Sequence, residues 1–295
     1  MIILDGKQTS EKILNNVKEE INNLPYIPKL VVISVGEDQA SKVYIRNKCN
    51  ACNKVGINFE EIHIDNKGLS SKELFKKLYD EILKLDTDPS VNGILIQKPI
   101  IGLDKDHEEA LFLTINPFKD VDVFNLSNTI EIYQGENKLL PCTPKGILTL
   151  LDEYKIDVEG KNVVIIGRSN IVGKPLSLAL LNRNATVTVC HSKTKDLKEI
   201  TKNADILITA IGKPKMIDHS YITLKCECII DVGMNRDEDN KLCGDCDFND
   251  ITNWWNNSQL HKERYITPVP GGVGPMTVAS LMQNVLQLCK KNKGE

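Results

Sequence analysis

Helical and extended patterns alternate along the first part of this chain, and that alternation constrains its fold more than any other feature. Apolar runs at 30–35 and 91–97 and an extended run at 57–64 are separated by patterns of helical spacing at 41–54 and 70–85. A run such as Leu30-Val-Val-Ile-Ser-Val35 suits a strand buried on both faces. Strands that alternate with helices predict crossover units and a parallel sheet.

A second alternation begins after Pro141-Cys-Thr-Pro144 and indicates a dinucleotide-type sheet. The amphipathic tail at 275–291 has no nearby sequence partner for its apolar side, so we expect it to pack back on the first domain. We therefore predict an α/β protein with domains at 1–140 plus 273–295 and at 141–272. The predicted helices of the second domain are 145–154, 175–182 and 197–202, and its strands are 162–166, 185–190, 205–210 and 228–232.

Length and charge bound the functional class. The chain has 295 residues, enough for roughly two domains of about 150 residues each. Its net charge of −3 argues against a nucleic-acid scaffold, and no stretch approaches the roughly 20 apolar residues of a membrane span. Charge at Asp5 comes too early for the apolar region of a signal peptide. We expect a cytoplasmic protein that binds neither nucleic acid nor membranes.

The nine cysteines include two pairs with the C-x-x-C spacing of zinc ligands. Cys49/Cys52 and Cys243/Cys246 lie much farther apart in sequence than the roughly 15–20 residues between the two knuckles of a zinc ribbon. Cys49 and Cys52 also fall on the apolar face of a predicted helix. An odd number of cysteines suits reduced thiols, and we predict buried structural thiols that behave as small apolar side chains, with no metal site.

A glycine-containing turn, Gly167-Arg-Ser-Asn-Ile-Val-Gly173, follows the strand at 162–166. Glycines let the backbone approach a phosphate, and the next helix would offer free N–H groups. The spacing departs from G-x-G-x-x-G, because Ser169 and Val172 occupy glycine positions, and the alternative is a strand–helix turn that binds nothing. Where an NAD-selective site would place Asp or Glu, the chain has Cys190-His-Ser-Lys-Thr194, which together with Arg168 suits a 2′-phosphate and favours NADP over NAD.

Two further segments suit close approach to a cofactor. Ala210-Ile-Gly212 follows the next strand, at 205–210. Thr267-Pro-Val-Pro-Gly-Gly-Val-Gly-Pro-Met-Thr277 holds three prolines and three glycines immediately before the tail helix. Such a composition fixes an unusual backbone path, so we expect a loop that presents backbone groups to a cofactor.

Ser41, Tyr44 and Lys48 share one face of the helix predicted at 41–54. Tyrosine can stack on a planar ligand, and burial lowers the pKa of a lysine toward neutrality, where general acid/base catalysis works best. The alternative is a surface lysine that packs along a tyrosine ring.

Polar residues also follow the apolar strand at 91–97. Gln97 closes it, at the carboxyl end of a predicted parallel strand, where α/β folds bind ligands. Asp120 and Asp122 could accept hydrogen bonds from the N–H groups of a ligand. The alternatives are a strand-terminal amide satisfied by the loop backbone and a solvated turn after Pro117. The Asp-x-Asp spacing would also suit a metal, but no further carboxylate or histidine cluster supports one.

Together these segments resemble the bifunctional methylenetetrahydrofolate dehydrogenase/cyclohydrolase family of one-carbon metabolism. The resemblance runs in order over essentially the whole chain and includes Lys119-Asp-Val-Asp122 and Gly244-Asp-Cys-Asp-Phe248. It implies two α/β domains flanking a cleft, the second Rossmann-like, and a homodimer formed through the cofactor domains. It implies oxidation of 5,10-methylenetetrahydrofolate with NADP⁺ and hydrolysis of the methenyl product to 10-formyltetrahydrofolate, a one-carbon donor for purine biosynthesis.

The resemblance also implies residue roles. Lys48 would be the acid/base, chiefly for hydrolysis, and Gln97 would hydrogen-bond it; Tyr44 would stack on the folate, and Asp122 would anchor the pterin. Further substrate contacts are expected from Ser41, Asp120, Pro270 and Gly271. The residues expected to bind NADP are Gly167, Arg168, Ser169, Val172, Gly173, His191, Ser192, Lys193, Ala210, Gly212, Gly233, Gly272 and Thr277.

Two positions depart from the family pattern, which usually has Gly at the position of Val123 and Leu or Met at that of Lys98. Because a β-branched residue disfavours a positive φ, we expect the loop near Asp122 to follow a different path. Lys98 could alter proton transfer or pair with the glutamate tail of the folate. Three alternatives stay open: a dehydrogenase-only member, a short-chain dehydrogenase (whose glycine-rich turn would precede the Tyr-x-x-x-Lys helix), and a non-catalytic NADP-binding or thiol–metal module.

Overall fold

A computed structural model describes residues 1–258 and 262–294 and divides the chain into two compact units. The large-sheet unit comprises residues 1–10 and 132–277, and the small-sheet unit comprises residues 11–131 and the tail from Val278. The elements, in chain order, are β1 Ile2–Ile3, α1 Gly6–Asn22, β2 Lys29–Val35, α2 Gln39–Val55, β3 Asn58–Ile64, α3 Ser71–Thr87, β4 Gly93–Ile96, α4 Lys105–Thr114, α5 Leu126–Tyr133, α6 Cys142–Glu153, β5 Asn162–Ile166, α7 Gly173–Leu181, β6 Thr186–Cys190, α8 Leu197–Thr201, β7 Ile206–Thr209, a 3₁₀ helix His219–Tyr221, β8 Cys228–Asp231, β9 Asn235–Arg236, β10 Leu242–Cys243, α9 Phe248–Asn256, β11 Tyr265–Ile266 and α10 Val273–Lys293.

The large-sheet unit is built on a parallel sheet that, in the described part of the chain, has six strands in the order β1-β11-β8-β7-β5-β6. Its central strands are buried, as expected for a sheet covered on both faces. β1 pairs with β11, so residues 1–10 belong to the large-sheet unit, although residues 11–131 belong to the small-sheet unit. The predicted boundaries at 140 and 272 stay predictions.

The small-sheet unit holds a parallel sheet that has three strands within residues 1–258 and 262–294, in the order β3-β2-β4. The residues from Leu30 to Ile33 in the central strand β2 are completely buried. Helix α3 begins with a capping box in which Ser70 and Glu73 satisfy each other's backbone N–H groups. The unit therefore follows the predicted alternation of strands and helices.

The tail helix α10 packs in the small-sheet unit from Val278 onward. The buried Asn284 side chain donates a hydrogen bond of 2.9 Å to the carbonyl of Val121, and the Cys52 thiol lies 3.6 Å from the sulfur of Met282. These contacts confirm that the C-terminal helix packs back on the first domain. None of the helices among the described residues is long and apolar enough to span a membrane.

Candidate active site

Helix α2 carries the first group of predicted site residues. It begins after Asp38, whose carboxylate caps the helix by accepting a hydrogen bond of 2.6 Å from the N–H of Ser41. Ser41 is buried, Lys48 is half-buried, and the Tyr44 side chain is 42% exposed. The helix thus presents an accessible aromatic ring one turn from a partly sheltered ammonium group.

Gln97 lies beside Lys48, at the carboxyl end of β4. Its side chain is only 8% exposed. Its amide Nε2 donates a hydrogen bond of 2.7 Å to the carbonyl of Lys98, so its Oε1 faces away from that carbonyl. Oε1 accepts a hydrogen bond of 2.8 Å from Nζ of Lys48. A neutral acceptor holds the lysine in place without adding a charge that would fix its protonation state.

Lys98 is committed to a different set of contacts. Its Nζ forms an ion pair with Glu108 and lies 5.2 and 5.9 Å from the ring centroids of Phe112 and Phe124. Attraction of the cation by the ring faces reinforces the ion pair. The structure therefore does not support a role for this ammonium in proton transfer or in pairing with a glutamate tail. Close to it, the Ser41 hydroxyl lies 3.5 Å from the carbonyl of Lys98.

Asp120 and Asp122 have different environments. Asp122 is partly exposed, whereas Asp120 is 1% exposed. Oδ2 of Asp120 accepts hydrogen bonds of 2.7 Å from the N–H of Asn125 and 3.1 Å from the amide of Asn128. Burial raises the pKa of Asp120 to about 6. The geometry makes Asp122 the carboxylate that a ligand can reach and Asp120 one that organises the loop, so the expected substrate contact of Asp120 finds no support.

The segment around Asp122 is also fixed by hydrogen bonds to two helices, α10 and α3. Asn284 binds the carbonyl of Val121 from the tail helix. Lys119 is 8% exposed and caps the C-terminal end of α3, where unpaired carbonyls and the helix dipole favour a cation. Nζ of Lys119 donates hydrogen bonds of 2.9, 2.8 and 2.7 Å to the carbonyls of Leu85, Asp86 and Asp88.

Val123 adopts the left-handed conformation that its side chain disfavours, with φ of 61°. Valine thus occurs here at a positive φ, and the expected difference in loop path from the family stays a prediction. The side chain is 3% exposed, so its packing contributes stability that offsets a strain of roughly 1–2 kcal/mol.

The large-sheet unit brings the predicted cofactor residues to one edge of its sheet. The strands β5, β6, β7 and β8 are parallel neighbours, so the segments that follow them emerge at the same edge. In this pairing Ile166 lies opposite Cys190. Arg168 lies two residues after Ile166, and Ser192 lies two residues after Cys190, so both follow the ends of neighbouring strands. Both side chains are exposed.

The turn after β5 is closed tightly. Gly167 has φ of 141°, and a Cβ there would lie 2.4 Å from the carbonyl oxygen of Ala210, so only glycine fits. The Ser169 hydroxyl accepts hydrogen bonds of 3.1 Å from the N–H of Val172 and 3.4 Å from that of Gly173. Ser169 thus already binds two N–H groups at the start of α7, where the sequence suggested groups free for a phosphate.

The segment after β6 forms a compact turn. The His191 N–H donates a hydrogen bond of 2.8 Å to the Thr194 hydroxyl, and Nδ1 of His191 accepts one of 3.1 Å from the N–H of Lys193. These bonds leave the exposed side chains of Ser192 and Lys193 on the outside of the turn. The hydroxyl of Ser192 and the ammonium group of Lys193 are suitable partners for a phosphate. So is the guanidinium of Arg168, which follows the neighbouring strand β5.

Two buried carboxylates that the sequence did not single out organise the segments after β7 and β8. Asp245 is completely buried and accepts hydrogen bonds from the backbone of 211–213. Asp231 is 3% exposed, and burial raises its pKa. It accepts hydrogen bonds of 3.0 Å from the N–H groups of Gly233 and Asp245. An aspartate pattern alone does not reveal burial, so the sequence points to the segment Gly244–Phe248 only through the family resemblance.

The proline- and glycine-rich loop is fixed by the chain's first residues and by α6. The N–H of Lys7 donates a hydrogen bond of 3.0 Å to the carbonyl of Gly271, and the N–H of Gly272 donates one of 2.8 Å to that of Pro268. The hydroxyls of Thr143 and Thr277 lie 3.2 Å apart. Pro270 and Gly271 belong to the large-sheet unit, so their expected contact with the substrate stays a prediction.

These residues fit a dinucleotide with a 2′-phosphate. Gly212 has φ of 74°, and a Cβ there would meet no atom within 4 Å, which leaves open space for a ligand beside the end of β7. The donors on the segments after β5 and β6 are cationic or hydroxylic, as a phosphate requires. Among the described residues no group of three or more His, Cys, Asp or Glu side chains is placed to hold a metal ion.

All nine cysteines lie in the described part of the chain and are free thiols, and Cys49 is the least buried of them. The two C-x-x-C pairs belong to different units. Burial raises the pKa of Cys52 and Cys226 to about 12. Burial also raises the pKa of Cys228 and Cys246 well above that of an ordinary thiol. The buried thiols behave as apolar side chains, which agrees with the prediction.

Comparison with known proteins gives matches over almost the whole chain. Residues 4–122 match the tetrahydrofolate dehydrogenase/cyclohydrolase catalytic domain, and residues 141–293 match the NAD(P)-binding domain of the same name. The bifunctional protein FolD of Agathobacter rectalis is 48% identical over 98% of this chain and 99% of its own.

Solved structures give the same result. The bifunctional FolD enzyme of Campylobacter jejuni is 40% identical with a TM-score of 0.90, covering 99% of each chain. The Trypanosoma brucei FolD, complexed with NADP cofactor and an inhibitor, is 29% identical with a TM-score of 0.85, covering 100% of this chain and 99% of that one.

Proposed function

The chain belongs to the tetrahydrofolate dehydrogenase/cyclohydrolase family, and we propose which of its residues carry the two activities of that family. It oxidises 5,10-methylenetetrahydrofolate to the methenyl form with NADP⁺ and hydrolyses the methenyl form to 10-formyltetrahydrofolate. The full-length match to bifunctional relatives favours both activities over a dehydrogenase-only variant. It also leaves the short-chain dehydrogenase and the non-catalytic module without support.

The small-sheet unit carries the folate chemistry in this proposal. The observation that supports it is the hydrogen bond of 2.8 Å between Nζ of Lys48 and Oε1 of Gln97. This bond places an oriented, half-buried amine one helical turn from the accessible ring of Tyr44. Tyr44 stacks on the folate, and Asp122 accepts hydrogen bonds from the pterin. Ser41 and Gln97 position the amine and the loop beside it.

Hydrolysis of the methenyl cation consumes one water and releases one proton. Water adds to the carbon of the methenyl bridge, and neutral Lys48 accepts the proton that the water loses. One C–N bond of the bridge then breaks, and Lys48 returns a proton to the nitrogen that leaves. The hydroxyl group on the former bridge carbon becomes the formyl carbonyl and loses its proton to solvent, which is the proton that the overall reaction releases. Gln97 keeps Nζ in place through both transfers. NADP⁺, when bound, supplies a nicotinamide that accepts a hydride from the methylene bridge, and the large-sheet unit holds and orients it.

Replacing Lys48 with Met tests this assignment, and Lys42 on the same helix offers a matched control. Lys42 is an exposed lysine that pairs with Glu37. We expect Lys48→Met to slow methenyl hydrolysis about 10²- to 10⁴-fold, the usual contribution of a general acid/base. The affinity for NADP⁺ should stay near that of the wild type. Lys42→Met should change neither quantity.

The assay follows the decay of methenyl absorbance after mixing, with NADP⁺ binding measured separately by calorimetry. A folded Lys48→Met variant that hydrolyses the methenyl form at the wild-type rate would remove the lysine from the mechanism. Equal losses in Lys48→Met and Lys42→Met would assign the effect to the helix as a whole.

Arg168, Ser192 and Lys193 hold the 2′-phosphate of NADP in this proposal, because the edge carrying these side chains has donors in place of an acidic residue. Arg168→Ala should weaken NADP⁺ binding ten- to a hundredfold, as expected for loss of a charge-assisted hydrogen bond, while NAD⁺ binding stays nearly constant. Arg183→Ala is the control, since Arg183 lies in the same unit and pairs with Asp152. An equal loss for both nucleotides would refute the role of Arg168.

We further propose a homodimer formed through the large-sheet unit, in the cytoplasm, where the enzyme supplies one-carbon units for purine biosynthesis. An exposed edge strand supports the first point: β6 ends the sheet, and edge strands are natural pairing sites. Free thiols support a reducing compartment. Light scattering on the purified protein tests the dimer, and a monomeric mass at micromolar concentration would contradict it.

A further inference from the structure

Asp245 occupies a position where three consecutive backbone N–H groups converge. Its Oδ2 accepts a hydrogen bond of 2.6 Å from Ile211, and its Oδ1 accepts bonds of 3.0 Å from Gly212 and 2.9 Å from Lys213. The amide of Asn235 adds a fourth donor, 2.8 Å from Oδ1. Successive N–H groups that point into one concavity form an anion-binding nest, of the kind that binds phosphates in other folds. Here the protein's own carboxylate fills it.

Asp231 fixes the segment that carries Asp245. Its Oδ1 accepts a hydrogen bond of 3.0 Å from the N–H of Asp245, and its Oδ2 accepts one of 2.8 Å from the N–H of Cys246. The Thr209 hydroxyl, at the end of β7, donates a bond of 3.2 Å to Oδ1. Asp231 itself lies at the end of β8. The two carboxylates therefore connect the ends of two sheet strands to the loop at 211–213.

All four groups around Asp245 are donors, so an acceptor-only carboxylate matches the site and an amide does not. A buried carboxylate is tolerated only when its oxygens are hydrogen-bonded. Both oxygens of Asp245 are bonded, and the side chain is completely buried. Buried polar groups that are fully paired hold the backbone in one arrangement, whereas loss of one partner releases it.

We propose that Asp245 is a positioning residue for the cofactor: by filling the nest at 211–213, it fixes the loop against which NADP binds. This inference rests on the proposed placement of NADP at the carboxyl edge of the large sheet. Because the three N–H groups already bind Asp245, they do not hold the cofactor's phosphates. The loop instead contributes its shape and the open side of Gly212, where a Cβ would meet no atom within 4 Å.

The experiment compares Asp245→Asn with Asp247→Asn. Asp247 is the neighbouring aspartate that caps α9 by accepting the N–H of Asp250, so its loss perturbs the same segment without touching the nest. Asp245→Asn places an amide group against backbone donors. We expect it to weaken NADP⁺ binding at least tenfold, measured by calorimetry, and to speed hydrogen exchange of the 211–213 amides. Asp247→Asn should leave binding within about twofold of the wild type.

Chemical rescue provides a second measurement. If Asp245 acted only through packing, a small anion would not restore NADP⁺ affinity to a variant that lacks its carboxylate. Asp245→Ala empties the nest, and added formate should restore NADP⁺ affinity, whereas chloride at equal ionic strength should not. Methenyl hydrolysis should stay unchanged in every variant, because its proposed residues lie in the other unit.

Three outcomes would overturn the proposal. The first is unchanged NADP⁺ affinity in Asp245→Asn despite faster exchange at 211–213. The second is an equal loss in Asp247→Asn, and the third is a loss of affinity in Asp245→Ala that formate does not reverse. Arg168→Ala separates this failure from failure of the cofactor site itself. If Arg168→Ala weakens NADP⁺ binding and Asp245→Asn does not, only the positioning role is lost.

Discussion

Replacing Asp120 with Asn should stabilise the protein at neutral pH, although the change removes a charge beside the proposed folate site. The side chain is 1% exposed, and its Oδ1 has no hydrogen-bond partner among the described residues. Oδ2 accepts the bonds from Asn125 and Asn128. Asparagine has one oxygen that can accept both bonds, so it keeps the loop contacts while removing a charge that is poorly compensated.

The size of the effect follows from the pKa. Burial raises the pKa of Asp120 from 3.8 to about 6. A raised carboxyl pKa means that the folded state favours the protonated form. The stabilisation of the folded state by protonated Asp120 is fully present below about pH 4 and is lost as the pH rises through about 6. At about 1.4 kcal/mol per pH unit, ionised Asp120 costs the folded state about 3 kcal/mol at pH 8, and Asn does not carry that cost.

Urea unfolding of wild type and Asp120→Asn between pH 4 and 8 measures this difference. The free energy of unfolding of the variant should exceed that of the wild type by about 3 kcal/mol at pH 8, and the two curves should meet near pH 4. Asp122→Asn is the matched control, with a partly exposed carboxylate whose loss should change stability by less than about 0.5 kcal/mol. A constant difference between wild type and Asp120→Asn at all pH values would refute the reasoning.

Two further substitutions test how the loops are positioned. Gly167→Ala places a Cβ 2.4 Å from the carbonyl oxygen of Ala210; it should lower stability by about 2 kcal/mol or more and weaken NADP⁺ binding. Gly160 also has a positive φ, of 68°, but open space around its Cβ, so Gly160→Ala should cost only the backbone strain of about 1 kcal/mol and leave binding unchanged. Thermal melts and calorimetry distinguish the two. Asn284→Leu removes the hydrogen bond to the Val121 carbonyl; it should cost about 1–3 kcal/mol and raise KM for the folate without changing the Kd for NADP⁺. An unchanged KM would show that Asp122 does not depend on this bond.

The strands and helices with regular patterns could be predicted from the sequence. The strand expected at 162–166 is Asn162–Ile166, and the helix expected at 70–85 is Ser71–Thr87. Local periodicity records which face of an element is buried, and that information lies within the element itself. The proposed site residues Lys48 and Gln97 can also be singled out from the sequence, because one lies on a predicted helix face and the other at a predicted strand end.

The short strands could not be predicted. β1 has two residues and pairs with β11, so a contact across nearly the whole chain decides both the strand and the unit to which residues 1–10 belong. No local pattern encodes such a partner. The conformation of Val123 could not be predicted for a related reason. Its φ of 61° is set by the packing of the loop, which outweighs the preference of a β-branched residue for negative φ.

The burial of Asp120 and Asp245 could not be predicted from the sequence. The Asp-x-Asp spacing is the same at 120–122, where the sequence suggests ligand contacts or a solvated turn, and at 245–247, which enters only through the family resemblance. In the structure Asp120 and Asp245 are buried, whereas Asp122 and Asp247 are partly exposed. Asp245 accepts three backbone N–H groups from 211–213, whereas Asp120 accepts one from Asn125 and Asp247 accepts one from Asp250. Asp245 is therefore buried where the fold supplies N–H groups to both of its oxygens, whereas Asp120 is buried with its Oδ1 lacking a hydrogen-bond partner among the described residues.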